Sequence, residues 1–212
     1  MVAQRQVSSG PSRVSLKPAS RLAGLGVEGQ PLSFWLARFF IGLPEIVGSP
    51  IYLEVLPELR AYRGELLSGE RATRGNAVHA ASFLRERRIV VEDALLNNAA
   101  SLRYILVHEL FHFVWWRLGN PSRRSFDMLI RKEVRVGIRG ELGESSGVAK
   151  SKLQAGDCEG SGPRWKNYVC ESFCDTAAWF YGDRTITALV SLPRGRISNR
   201  ELWLAAQTGL RA

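Results

Sequence analysis

"ILVHELFHFVWW" (residues 105–116) places two of the chain's three histidines four residues apart, with a glutamate directly after the first. Nearly everything else in the stretch is apolar. Successive residues of an α-helix are rotated by about 100°, so positions i and i+4 lie on one face, one turn apart. His108 and His112 therefore point the same way, close enough to share one ion, and Glu109 stands one step around the helix. An ionised carboxylate set among Leu106, Val107, Leu110, Phe111 and Phe113 without a partner is very costly. A divalent cation removes that cost. This is the physical content of the H-E-x-x-H pattern: two imidazoles hold Zn²⁺, the ion brings the pKa of its water to about 7, and the glutamate takes the proton.

A catalytic zinc takes three protein ligands and keeps one position open. No histidine supplies the third. Trp115, Trp116 and Leu118 stand where the longer histidine patterns need glycine or histidine, and His79 lies upstream. A carboxylate pair does better. "CESFCD" (170–175) sets Glu171 and Asp175 four residues apart, on a helical stretch whose other members include Tyr168, Val169, Phe173, Ala177, Ala178, Trp179 and Phe180. Carboxylates in such company are the second odd pairing in the chain.

With HELFH followed by ESFCD, the chain resembles a small, minimal gluzincin-type (thermolysin-like) zinc metallopeptidase. The resemblance covers roughly residues 77–118 and 165–182. It implies one Zn²⁺ per chain held by His108, His112 and Glu171, with Glu109 as general base and acid. It implies that Asp175 holds the other ring nitrogen of His108, a contact that fixes tautomer and orientation. It also implies an α+β, zincin-like fold: a small twisted sheet, a metal helix covering it, and a second metal-ligand helix. A peptide or protein substrate would pair with the sheet edge above the metal helix. "RRIVVED" (87–93) resembles that edge element, and either strand of its hairpin is a candidate.

Two departures matter. The usual asparagine before the third ligand is Cys170 here. The chain has no room for the long downstream domain that supplies a transition-state histidine or tyrosine in larger relatives, which leaves Tyr168 and His79 as candidates to steady an oxyanion. Cys170 and Cys174, themselves four residues apart, are soft donors and keep open a Cys/His structural site. The alternative function is accordingly a non-catalytic, zinc-stapled protein that binds a partner through its basic surface. Glu109 separates the two readings, because a structural site has no use for a carboxylate beside its first ligand.

The bulk numbers frame this. A chain of 212 residues suffices for one domain with a real core. Three cysteines without a CxxC pair point to a reducing, cytoplasmic setting. The first residues carry no apolar signal region, and no run approaches the ~18 apolar residues of a spanning helix. "LSFWLARFFIGL" (32–43) is short, interrupted by Arg38, and reads as a core element. The formal net charge of +9 is uneven, about zero over 32–116 and about +5 over 117–166, so the surplus is peripheral. With no recognisable module and no aromatics interleaved among the arginines, specific nucleic-acid binding is not expected.

Residues 1–31, rich in Ser, Gly and Pro, read as a flexible lead-in to a single catalytic domain over 32–212. Within it, 77–84 and 87–93 form a hairpin. A helix runs from about Leu95 to Leu118, with Gly119 as left-handed cap and Pro121 as breaker. Residues 122–140 read as an exposed amphipathic helix and 140–164 as a mobile Gly/Ser-rich loop. A buried helix over 165–182 ends at Gly182. Residues 183–212 show no pattern that places them.

Overall fold

The computed structural model describes residues 12–19, 22, 24–186 and 190–212. Its main sheet has four strands, β1 (Leu16–Pro18), β2 (Ile51–Leu56), β3 (Ala80–Phe83) and β4 (Arg88–Glu92), in the order β1–β2–β4–β3. β1 and β4 run parallel to β2, and β3 returns antiparallel to β4, with Ser82 opposite Ile89. The hairpin expected over 77–93 is thus β3–β4. Its second strand lies inside the sheet: Ile89, Val90 and Val91 are fully buried, the continuous apolar run that a strand covered on both faces requires. The short, small-residue strand Ala80–Phe83 takes the edge, as edge strands do.

The helices are α1 (Leu32–Phe39), α2 (Ala99–Arg117), α3 (Asn120–Arg135), α4 (Glu144–Ser151), α5 (Pro163–Tyr181) and α6 (Arg194–Ala205). α1 turns Leu32, Leu36 and Phe39 inward and leaves Phe34 outside. α2 is buried nearly all round, as an apolar helix wedged between other elements must be. It packs against α5 and the edge strand β3. It begins later than expected, because Asp93–Asn97 forms a 3₁₀ turn and the Asn98 side chain accepts from Ser101 N at 2.8 Å to cap the helix. Phe173 of α5 meets Trp115 of α2 at 5.1 Å and Phe126 of α3 at 5.6 Å, ring centre to ring centre, which ties three helices at one point.

Three expectations are corrected, and one stretch that the sequence left unplaced is filled in. Gly119 and Pro121 do not close α2: Gly119 has φ −61 and precedes α3, and Pro121 sits in the first turn of that helix. Proline lacks only an N–H that is unpaired there anyway, so it starts a helix as readily as it stops one. The lead-in over 1–31 contains β1 and a second short pairing, Gly26–Val27 with Gln30–Pro31; residues 1–11, 20, 21 and 23 lie outside the described residues. The stretch 140–164 contains α4, which packs on α5 with Ser146 and Ala149 buried. Small residues there allow close approach between helices. Residues 183–212 supply α6 and Leu210–Arg211, which pairs parallel to Ile46–Val47; residues 187–189 lie outside the described residues.

α5 ends at Gly182 as expected, for a reason of space. A Cβ at Gly182 would collide with the Ala178 carbonyl oxygen and lie 3.2 Å from the Tyr104 backbone of α2. That contact keeps the end of α5 against the middle of α2, where the histidines begin. Among the described residues, no helix is long and apolar enough to cross a membrane.

Candidate metal centre

α2 and α5 bring the two polar pairs of the sequence face to face. His108 Nε2 and His112 Nε2 are 3.1 Å apart, and Glu171 Oε2 lies 3.3 Å from the first and 3.7 Å from the second. Three donor atoms therefore form a nearly equilateral triangle. For Zn–N and Zn–O bonds of about 2.0–2.1 Å, the corners of a tetrahedron are about 3.3–3.4 Å apart. The triangle brackets that spacing, so the residues present fit one tetrahedral ion with a fourth corner free.

Behind the triangle, His108 Nδ1 donates to Asp175 Oδ1 at 2.8 Å, which leaves Nε2 facing the triangle. Asp175 Oδ2 in turn accepts from Ser146 N at 2.8 Å, at the start of α4. His112 Nδ1 lies 3.5 Å from Cys170 Sγ. Each histidine thus has Nδ1 engaged outside the triangle and turns Nε2 into it. Glu109 stands outside the triangle on the cleft wall, and the Ser82 hydroxyl of β3 donates to its Oε2 at 2.5 Å. The cleft encloses about 280 Å³ between the edge strand and the two helices, with Ala80, Ala81, Leu84 and Ser145 completing its walls.

Charge accounts for the titration of these groups. Burial pulls His108 down, but Asp175, by charge and hydrogen bond, with Glu171 and Glu109, carries it well above its ordinary value. His112 is pulled down by burial and raised overall by its contact with Cys170 and the charge of Glu109. Burial raises both carboxyls, but the two histidines outweigh it at Glu171, and His108 with the Ser146 hydrogen bonds outweighs it at Asp175, so both titrate below their usual range. The Cys174 thiol, as hydrogen-bond donor, brings Cys170 down to about 6, with burial opposing and His112 assisting. Burial and the neighbouring Cys170 push Cys174 itself well up.

Cys174 also comes within 4.8 Å of a ring nitrogen on both histidines. Two donor sets therefore converge on the histidine pair. The one completed by Glu171 is tighter and already anionic, whereas the one completed by Cys174 requires ionising a fully buried thiol. Cys158, Cys170 and Cys174 are all free of disulfides.

The other two candidates lie elsewhere. Tyr168 is fully buried and donates to Glu141 Oε1, away from the cleft. His79 lies before β3, largely exposed, with Nδ1 3.0 Å from Glu92 Oε2. Neither lines the cleft. Sequence reasoning missed Ser82, whose only signal was its place on the strand preceding the histidine helix, and Ser146, hidden in a stretch read as a loop. No protein-family model, curated protein or solved structure matches the chain.

Proposed function

We propose that this chain is a zincin-like zinc peptidase, with His108, His112 and Glu171 holding one Zn²⁺ and Glu109 acting as general base and acid. The observation that carries the reading is the triangle of donor atoms spaced 3.1–3.7 Å, with a carboxylate left outside it on the cleft wall. Held by His108, His112 and Glu171, a zinc ion would supply carbonyl polarisation and a water whose pKa is about 7. Glu109 accepts the proton of the attacking water on its carboxylate and returns it to the departing amine. Ser82 holds that carboxylate towards the cleft. Asp175 keeps His108 in the tautomer whose Nε2 is free.

The substrate class follows from the sheet. β3 is an edge strand, and among the described residues nothing pairs with its outer side. An extended peptide added there gains main-chain hydrogen bonds and lies beside Glu109. The zincin-like assignment rests on this combination of an antiparallel edge strand, the histidine helix behind it and the Glu171 helix packed against that one.

The test is zinc content per chain on protein purified without added metal, wild type beside Glu171→Ala, with digestion of a mixed peptide library read by mass spectrometry. One zinc in the wild type, markedly less in Glu171→Ala, and cleavage lost in Glu109→Gln is the expected result. Equal zinc in both chains moves the site to Cys174. Zinc without cleavage in the wild type leaves the metal as a staple between α2 and α5.

A further inference from the structure

We infer that Gly143 and the first turn of α4 form the seat of Asp175, and that Gly143 is a positioning residue for His108; its link to the metal rests on the reading above. Asp175 is almost wholly buried, and both of its oxygens are occupied: Oδ1 by His108 Nδ1 and Oδ2 by Ser146 N, each at 2.8 Å. The remaining side is closed by the Gly143 backbone. A Cβ built on Gly143 would lie 2.5 Å from Oδ1 and 2.6 Å from Oδ2, where real Cβ contacts essentially never fall below 3.0 Å. The carboxylate cannot swing aside without leaving His108 or Ser146.

Conformation does not explain the glycine. Its φ of −161° is extended backbone that any residue adopts, so the requirement is one of space. One turn later, a Cβ on Gly147 meets nothing within 4 Å. The turn that carries Gly143 is itself pinned. Tyr104 of α2, one turn before His108, donates from its hydroxyl to the Leu142 carbonyl at 2.9 Å. Glu141 accepts from Arg200 of α6 at 2.8 Å, from Lys150 of α4 at 2.9 Å and from Tyr168 of α5. Four helices thus fix a turn whose contact with the centre is a missing side chain.

The experiment is a double-mutant cycle on the full chain: Gly143→Ala, Asp175→Ala, the double variant, and Gly147→Ala as control. Zinc affinity is read by competition with a chromophoric chelator, and thermal midpoints are taken on the metal-free chains. Gly143→Ala and Asp175→Ala should each weaken zinc about 10–100-fold. The double variant should be no weaker than Asp175→Ala alone, because the carboxylate that the methyl strikes is gone. Gly147→Ala should match the wild type. Wild-type affinity in Gly143→Ala, or losses that multiply in the double variant, overturns the inference. If Gly143→Ala does not fold, the double variant decides: a folded chain with the zinc affinity of Asp175→Ala supports the seat, and an unfolded one sinks it. If the wild type takes up no zinc, the metal reading falls by itself. The thermal midpoints then judge the seat, with non-additive losses supporting it and additive ones refuting it.

Discussion

Two polar clusters are buried in this molecule, and they handle charge differently. The first joins Arg200 of α6 to Glu133 of α3 and to Glu141, with guanidinium–carboxylate distances of 2.6 and 2.8 Å, and adds Lys150 at 2.9 Å. Two carboxylates face two cations, and the cluster closes on itself; only Glu133 Oε1 is left without a partner. The second cluster, at the candidate metal centre, gathers Glu109, Glu171 and Asp175 around two imidazoles, and among the described residues no arginine or lysine joins its contacts or the cleft walls. It is anionic whenever the histidines are neutral, and it opens to a cleft. A buried ionic group that balances itself is framework. One that stays anionic beside a cavity has the charge to receive a cation, which is the reading proposed above.

The contrast can be broken or sharpened in steps of decreasing size. Glu109→Gln should lower peptide hydrolysis about 10²–10⁴-fold while zinc content stays at the wild-type level; retained turnover would remove Glu109 from the chemistry. Arg200→Leu should destabilise the fold by about 3–5 kcal/mol in denaturant titration, since it strands two buried carboxylates. Because Glu141 helps hold the turn that carries Gly143, the loss should be at least as large with zinc as without it, and a deficit repaired by the metal would count against that link. Asp175→Ala should weaken zinc binding about 10–100-fold and also lower the midpoint of the metal-free chain, since it strands His108 and Ser146 N.

The smallest effect is a crossover in pH. In the metal-free chain, His108 titrates well above its ordinary 6.5, so its protonated form stabilises the fold. That contribution is complete below 6.5 and is lost as pH rises through the raised folded value. Zinc competes with the same proton, so zinc-loaded protein should gain stability over the range where the metal-free chain loses it. Glu141 behaves oppositely: Arg200, acting against burial, holds it below its ordinary 4.5, so its contribution is present above that value and lost as pH falls through the lowered one. Parallel midpoint curves for the two forms above pH 6.5 would count against zinc at His108.

What could be read in advance was what is local. The i, i+4 spacings of His108 with His112 and of Glu171 with Asp175 are helical geometry, and an apolar setting makes polar pairs conspicuous. The β3–β4 hairpin announced itself by two β-favouring runs and the tight charged link between them. What escaped was held by distant partners. Arg200 looks like one more basic residue among 29, because nothing nearby in sequence marks it as the counter-charge of Glu133 and Glu141. α4 was hidden by its own composition: glycine and serine, which read as a loop, are what let the segment approach Asp175. Pro121 was ambiguous from the start, since the same ring ends one helix and opens another. Tyr168 shares a helix with Glu171, but its hydroxyl was claimed by a glutamate that only the fold brings near.

The hydrogen bond from Ser82 to Glu109 ties a sheet to a helix through one flexible side chain. A free glutamate side chain gives up about 1.5–2 kcal/mol of rotational freedom when it is fixed. Here that freedom is surrendered once, at folding, and on the peptidase reading it need not be surrendered again at each turnover. The tether also sets a common frame of reference. On the peptidase reading proposed above, a peptide added to β3 takes its position from the same strand that holds the carboxylate. When α2 shifts against that strand, Ser82 keeps the carboxylate with the strand, so acceptor and peptide hold their spacing.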